Sequence, residues 1–208
     1  NCNNSFLEVI KPYLNNDLIK IIVSDDSTDD NEKRLIMKNC DKLKITYIEG
    51  TRLNAPSNWN QLLNYIENPF FVLNHHDDFI DNLNFIDLLN VDDLGLIVLP
   101  CTSNLKDSFP HVIRSWQQNF FSTICFAFPN ATFNMILSPT ASVIVNSKLK
   151  NIRFDENLEW YVDAEWYLRL FLISKNNKYK IKFFNNTRIN SYQDTNSIIA
   201  QIKNKLNE

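Results

Sequence analysis

Two hydrophobic periods alternate along this chain, and their order predicts its elements. Residues 18–23 (LIKIIV) and 43–48 are short apolar runs bounded by polar turns, the pattern of buried strands. Between them, Ser24-Asp25-Asp26-Ser27-Thr28-Asp29-Asp30 supplies side-chain oxygens suited to capping a helix, which then runs from Asp29 or Asp30 to about residue 39. Asn54-Ala55-Pro56 opens another helix, with Pro56 in the first turn where a missing N–H costs nothing. Trp59, Leu62, Leu63 and Ile66 follow at i, i+3, i+4 and i+7 and form one apolar face. Asn68-Pro69 ends that helix and a strand begins at Phe70. Strand, helix, strand, helix, strand argues for parallel strands joined by crossover helices, an α/β fold.

The flanking segments complete the outline. Residues 6–14 have helical spacing, marred by Pro12. A short helix at 82–89, strands at 94–99 and 141–145, a helix at 162–173, a strand at 178–184 and a closing helix at 195–206 follow. Glu165 and Arg169 make a favourable i, i+4 pair on the 162–173 helix. Residues 101–136 are the least regular and carry Trp116, Phe120, Phe121, Phe126, Phe128 and Phe133. Core packing and a lid or apolar surface meeting an acceptor or a membrane face both fit these aromatics.

Composition narrows the class. A chain of 208 residues is long enough for one domain with a sizeable core. Hydrophobic residues at 44% and charged residues at 22% are ordinary for a soluble globular protein. A net charge of -3 gives no reason to expect nucleic acid as a partner. With Gly at 2 residues, Gly-rich phosphate loops are excluded. Cys2, Cys40, Cys101 and Cys125 are widely spaced, which fits reduced thiols in a cytoplasmic protein rather than a zinc site or disulfide framework. Neither a membrane span nor a signal peptide is visible in a sequence that starts without Met.

The chemistry concentrates at the end of the third strand, in Phe70-Phe71-Val72-Leu73-Asn74-His75-His76-Asp77-Asp78-Phe79. An apolar run that terminates in histidines and aspartates is how an open α/β sheet delivers ligand groups, since ligands sit outside the carboxyl ends of its strands. Adjacent carboxylates there repel unless a cation compensates them. This suggests a metal-assisted phosphate or diphosphate site, with a solvated turn as the plain alternative.

The later chain carries a family pattern. Phe154-Asp155-Glu156-Asn157-Leu158, followed by Asp163-Ala164-Glu165-Trp166-Tyr167-Leu168-Arg169-Leu170, resembles the acceptor-side motif of family-2 glycosyltransferases, which have the GT-A fold. Ser24–Asp30 resembles that family's "VDDGSTD" nucleotide loop, and Asn58-Trp59-Asn60 its "NWN" helix start. Asn60 precedes His75 by fifteen positions (75 − 60), the family's usual spacing to its DxD motif. Departures are equally specific. His75 stands at the usual first Asp of DxD, and Asn190 or Tyr192 stands where many relatives place a His. The family's first strand ends in a motif whose last residue matches Asn1, so a central strand is expected to be missing from the sequence.

The resemblance implies a single GT-A domain over residues 1–208, with a mostly parallel mixed sheet flanked by helices. Residues 1–100 would be its nucleotide-binding half and 101–208 its acceptor-side half. It implies an inverting transfer from a UDP- or dTDP-sugar to a saccharide or lipid-linked saccharide, in lipopolysaccharide or capsule synthesis at the inner face of a membrane. Asp163 matches the catalytic base, in the first turn of its helix where the dipole favours the ionised form. Asp25 or Asp26 would accept the imide N–H of uracil or thymine, with Asn60 also at the nucleotide. Asp77 would hold Mn²⁺ or Mg²⁺, with Asp78 as an orienting partner. His75 is either a nitrogen ligand, favouring Mn²⁺, or a protonated donor to phosphate. Trp160 and Trp166 fit sugar stacking or the core. A non-catalytic sugar-nucleotide-binding relative is the alternative, and a nucleotidyltransferase on a similar sheet is weaker because its Gly-rich loop is lacking.

Overall fold

Asp29 opens the first helix that the sequence marks clearly: its side chain accepts from the Asn31 N–H at 2.8 Å. The computed structural model describes residues 2–103, 140–159 and 162–191. Helix α1 is Cys2–Ile10 and stops before Pro12. Strand β1 is Ile22–Asp25, α2 is Asp30–Leu43 and β2 is Thr46–Glu49. β1 starts later than its apolar run because pairing with β2, which is parallel, begins at Ile22↔Thr46. Leu18 lies outside that ladder and is 72% exposed. α2 extends to Leu43 because Cys40 and Leu43 continue its apolar face against α1, in a cluster with Phe6, Ile10 and Ile36.

Helix α3 is Ala55–Leu63, capped by Asn54, whose side chain accepts from Ser57 N–H at 2.8 Å. Strand β3 is only Phe70–Phe71, and β4 is Asp78–Ile80. A 3₁₀ turn at Asn84–Leu88 replaces the short helix expected there and leads to β5, Leu94–Val98. After β6, Cys101–Ser103, come a 3₁₀ turn Thr140–Ser142 and β7, Val143–Asn146. Helix α4 is Val162–Asn176, β8 is Lys180–Phe183 and β9 is Ile189–Ser191. The aromatic segment before residue 137, Trp160 and the expected helix at 195–206 lie outside the described residues.

The strands form a β1–β2 pair, a β3–β7–β5–β8 sheet and a β4–β9–β6 sheet. β3 does not continue a parallel ladder from β1; its partner is β7, antiparallel. β4 and β9 had no sequence signal, being three residues each. In the four-stranded sheet, Leu96, Val98, Val143 and Val145 face a cluster with Leu63, Trp166, Tyr167 and Leu170, while Ile97, Leu99 and Ile144 face the other side. Both faces are covered at β5 and β7, so these two strands read as unbroken apolar runs. A register shift between Leu94 and Leu96 needs Gly95, because a Cβ there would lie 2.7 Å from Tyr179 Cβ. Among the described residues, no helix is long and apolar enough to cross a membrane.

Two devices hold the early and late parts of the chain together. Asn60 Oδ1 accepts from Phe154 N–H at 2.8 Å, and Asn60 Nδ2 donates to Phe154 O at 3.0 Å. Around this clasp the rings of Trp59, Phe154 and Trp166 pack in series, with centroids 5.0 Å and then 4.3 Å apart. Such ring pairs contribute roughly 0.5–1.5 kcal/mol each beyond their buried area. Asn60→Ala strands a buried amide and a buried carbonyl, each costing about 1–3 kcal/mol. Urea unfolding should show a loss of about 2–4 kcal/mol, whereas Asn64→Ala, at the exposed C-cap of α3, should stay within about 1 kcal/mol.

Candidate active site

At the end of β1, Asp25 is only 5% exposed and both its carboxylate oxygens are engaged. Oδ1 accepts from Ser27 N–H at 3.0 Å and Oδ2 from the Tyr47 hydroxyl at 3.1 Å. Asp25 therefore ties the loop to β2 and leaves the neighbouring Asp26 as the more open acid. Asp26 Oδ1 accepts from Arg52 N–H at 2.6 Å, with Arg52 in the left-handed region at φ 57°. Gly50 makes this approach possible: a Cβ on it would lie 2.7 Å from Asp26 Oδ1 and 2.9 Å from Asp25 O. Asn60, expected at the nucleotide, has its amide occupied by Phe154 and by Glu156 Oε1 at 2.8 Å. It lines a cleft of about 680 Å³ between α3 and residues 153–156.

The turn after β3 is built by Asn74. Its Nδ2 donates to the carbonyls of His75 at 3.0 Å and Asp78 at 2.7 Å, while its Oδ1 accepts from the Tyr13 hydroxyl at 3.3 Å. The turn draws His75, Asp77 and Asp78 together, with one ligating atom from each lying within 4.8 Å of the others. His76 points into solvent. The His75 ring stacks on Trp59, with centroids 4.9 Å apart and planes 22° apart. Its Nε2 lies 3.0 Å from Thr140 Oγ1 and its Nδ1 lies 3.5 Å from Asp78 Oδ2.

Asp78 is the electrostatic anomaly. It is 1% exposed, and neither carboxylate oxygen has a hydrogen-bond partner among the described residues. Burial pushes its pKa up to about 6, with His75 and the Ser191 hydroxyl opposing the rise and Asp77 adding to it. Ser191 lies near enough to moderate the charge without meeting hydrogen-bond geometry. Two carboxylates and an imidazole at one turn, one of the carboxylates buried and unpartnered, are a donor set that fits a divalent cation.

Asp163 lies in the first turn of α4. Burial raises its pKa above the usual carboxylate range, and His75 is near enough to oppose that rise, as do the Asp163 and Ala164 N–H groups. Desolvation thus outweighs the helix dipole that favours its ionised form. Glu165 instead pairs with Arg169, whose Nε and Nη2 donate to its two carboxylate oxygens. Trp166 is a core residue whose Nε1 donates to Ile152 O at 2.6 Å. The supporting residues Tyr13, Asn74 and Thr140 were not legible in sequence. Thr140 stands 65 positions from His75 and belongs to no motif.

For Asp78 the folded state binds a proton more tightly than the unfolded chain, whose Asp titrates near 3.9. Its destabilising charge is therefore fully present above the folded pKa of about 6 and disappears as pH falls toward about 4. In metal-free protein at pH 7, Asp78→Asn should increase unfolding free energy by about 1–3 kcal/mol. Chemical denaturation of both proteins across pH 4–7 checks this: the advantage of the variant should shrink as pH falls.

Neither a known protein family nor a curated protein matches this sequence. Solved structures do match its fold. The S. aureus TarS 1-349 structure superposes with a TM-score of 0.67 at 13% identity, over 92% of this chain and 58% of that one. A second S. aureus TarS structure gives 0.67 at 14% identity, over 94% of this chain and 35% of that one. Glucosyl-3-phosphoglycerate synthase from Mycobacterium tuberculosis, in complex with Mn²⁺, UDP-glucose and phosphoglyceric acid, gives 0.57 at 12% identity, over 97% of this chain and 71% of that one. The chain thus spans little more than half of the TarS 1-349 structure. What is shared at these identities is the fold, the single α/β domain of GT-A type expected from the sequence.

Proposed function

We propose that the chain is an inverting glycosyltransferase, moving a sugar from a UDP- or dTDP-sugar to a hydroxyl of a saccharide or lipid-linked saccharide. The observation that carries this reading is a convergence. His75, Asp77 and Asp78 gather within one turn, and His75 is electrostatically coupled to both Asp78 and Asp163. Asp26 stands at the end of a separate strand with one carboxylate oxygen already anchored. The M. tuberculosis synthase of similar fold was crystallised with Mn²⁺ and UDP-glucose, which supports a nucleotide sugar and a divalent cation here. In this reading residues 1–100 hold the nucleotide and 101–208 the acceptor. Lipopolysaccharide or capsule synthesis on the cytoplasmic face of a membrane is the setting it implies.

The residues divide the work by their chemistry. Asp26 accepts the imide N–H of uracil or thymine through its remaining oxygen, while Asp25 keeps the loop in shape. Asn60 supports the site by clasping Phe154. His75, Asp77 and Asp78 would hold Mn²⁺ or Mg²⁺, which when bound supplies positive charge to the departing diphosphate. Asp163 takes the proton of the acceptor hydroxyl as its oxygen bonds to the anomeric carbon. The bond from that carbon to the diphosphate oxygen breaks with its electron pair, and the configuration inverts.

Donor turnover by the protein, measured with Mn²⁺ and a panel of UDP- and dTDP-sugars and saccharide acceptors, tests the assignment. Asp163→Asn should lower kcat by about 10²–10⁴-fold with little change in nucleotide affinity. Because Asp163 must be ionised to act and its pKa is raised, the acid limb of kcat/KM should lie above the ordinary carboxylate range. Binding of nucleotide without turnover, indifferent to Asp163→Asn, would favour a non-catalytic sugar-nucleotide-binding protein instead. Gly50→Ala should displace Asp26 and weaken UDP binding at least about tenfold by calorimetry, since a crowded backbone cannot yield cheaply.

A further inference from the structure

His75 stands where a carboxylate would offer a symmetric pair of oxygens, and an imidazole has two unlike nitrogens instead. Only one can face a cation, and the ring must be held in the tautomer that leaves that nitrogen unprotonated. The surroundings of the ring distinguish the two. Nδ1 faces the carboxylates, 3.5 Å from Asp78 Oδ2, and Nε2 faces away toward Thr140 Oγ1 at 3.0 Å. Thr140 is fully buried at the start of the 3₁₀ turn before β7, so its hydroxyl is held by the sheet rather than by solvent. Trp59 beneath the ring prevents it from tilting out of this line.

We propose that Thr140 is a positioning residue that holds the His75 ring with Nδ1 turned toward Asp77 and Asp78, accepting from Nε2–H when a divalent cation shared with those carboxylates takes the Nδ1 lone pair. This rests on the metal site proposed above. A hydroxyl both donates and accepts, so it accommodates either tautomer; accepting from Nε2–H is the arrangement that completes the cation site. Asp78 is then a direct ligand rather than an orienting partner, which gives its unpartnered oxygens a counter-charge. A nitrogen donor in place of a carboxylate shifts preference from Mg²⁺ toward Mn²⁺.

Mn²⁺ titration of the purified protein, with free Mn²⁺ followed by electron paramagnetic resonance, tests this without any turnover. Thr140→Val preserves shape and removes the hydroxyl; it should weaken Mn²⁺ binding by about 10–100-fold. Thr140→Ser should remain within about threefold of wild type. Wild-type affinity in Thr140→Val, with affinity lost in His75→Ala, would overturn the role of Thr140 while the metal reading stands. Wild-type affinity in both His75→Ala and Asp77→Ala would overturn the metal reading itself. The wild-type protein provides a measurement independent of any variant's folding. With Zn²⁺ bound, ¹⁵N-resolved NMR of the imidazole should report His75 protonated at Nε2; protonation at Nδ1 would overturn the proposal.

Discussion

One buried side chain sets the spacing of the candidate site. Asn60 holds the backbone of Phe154 through both its donor and its acceptor, across 94 positions of sequence. A buried backbone amide and carbonyl need partners, and at this point no strand supplies them. The clasp sets the distance between α3 and the stretch that leads into α4. That distance in turn lets Trp59, Phe154 and Trp166 pack in series, with His75 stacked at the free end of the column. One amide thus fixes where the His75 turn and the Asp163 helix meet.

Within that frame the protein holds two carboxylates in conditions that disfavour their charge. Asp78 and Asp163 both have raised pKa values caused chiefly by burial, and His75 moderates both. A desolvated acid is a liability for folding and an asset for chemistry, because the same low-dielectric surroundings strengthen its hold on a cation or a proton. Tyr13 and Asn74 show how the liability is contained. Asn74 fixes the turn through its carbonyls and Tyr13 holds Asn74 in place, so Asp78 cannot swing out toward water.

Much of the fold was legible because it rests on local rules. The Asp29 cap, the Asn54-Ala55-Pro56 helix start and the apolar strand β5 all appear where propensity and periodicity put them. What misled was equally physical. Leu18 and Ile19 are apolar enough to read as strand, yet among the described residues no strand pairs with them and β1 begins at Ile22. β3 reads as the third parallel strand, but among the described residues its ladder is two residues paired antiparallel with β7. Very short strands such as β4 and β9 exist only because other strands lie beside them.

Sequence by itself determined which groups were available: the acids after β1, the His75–Asp78 turn, and Asp163 at the start of a helix. Each lies at an element end, where capping and turn residues are recognisable from their neighbours alone. Tertiary structure decided what each group is free to do. Asp25 is saturated while Asp26 keeps an oxygen open. The Asn60 amide engages the Phe154 backbone, and Asp78 is buried without a hydrogen-bond partner among the described residues. Thr140, 65 residues away, becomes the neighbour of His75. Hydrogen-bond partners and burial depend on chain segments far apart in sequence, so no local pattern records them.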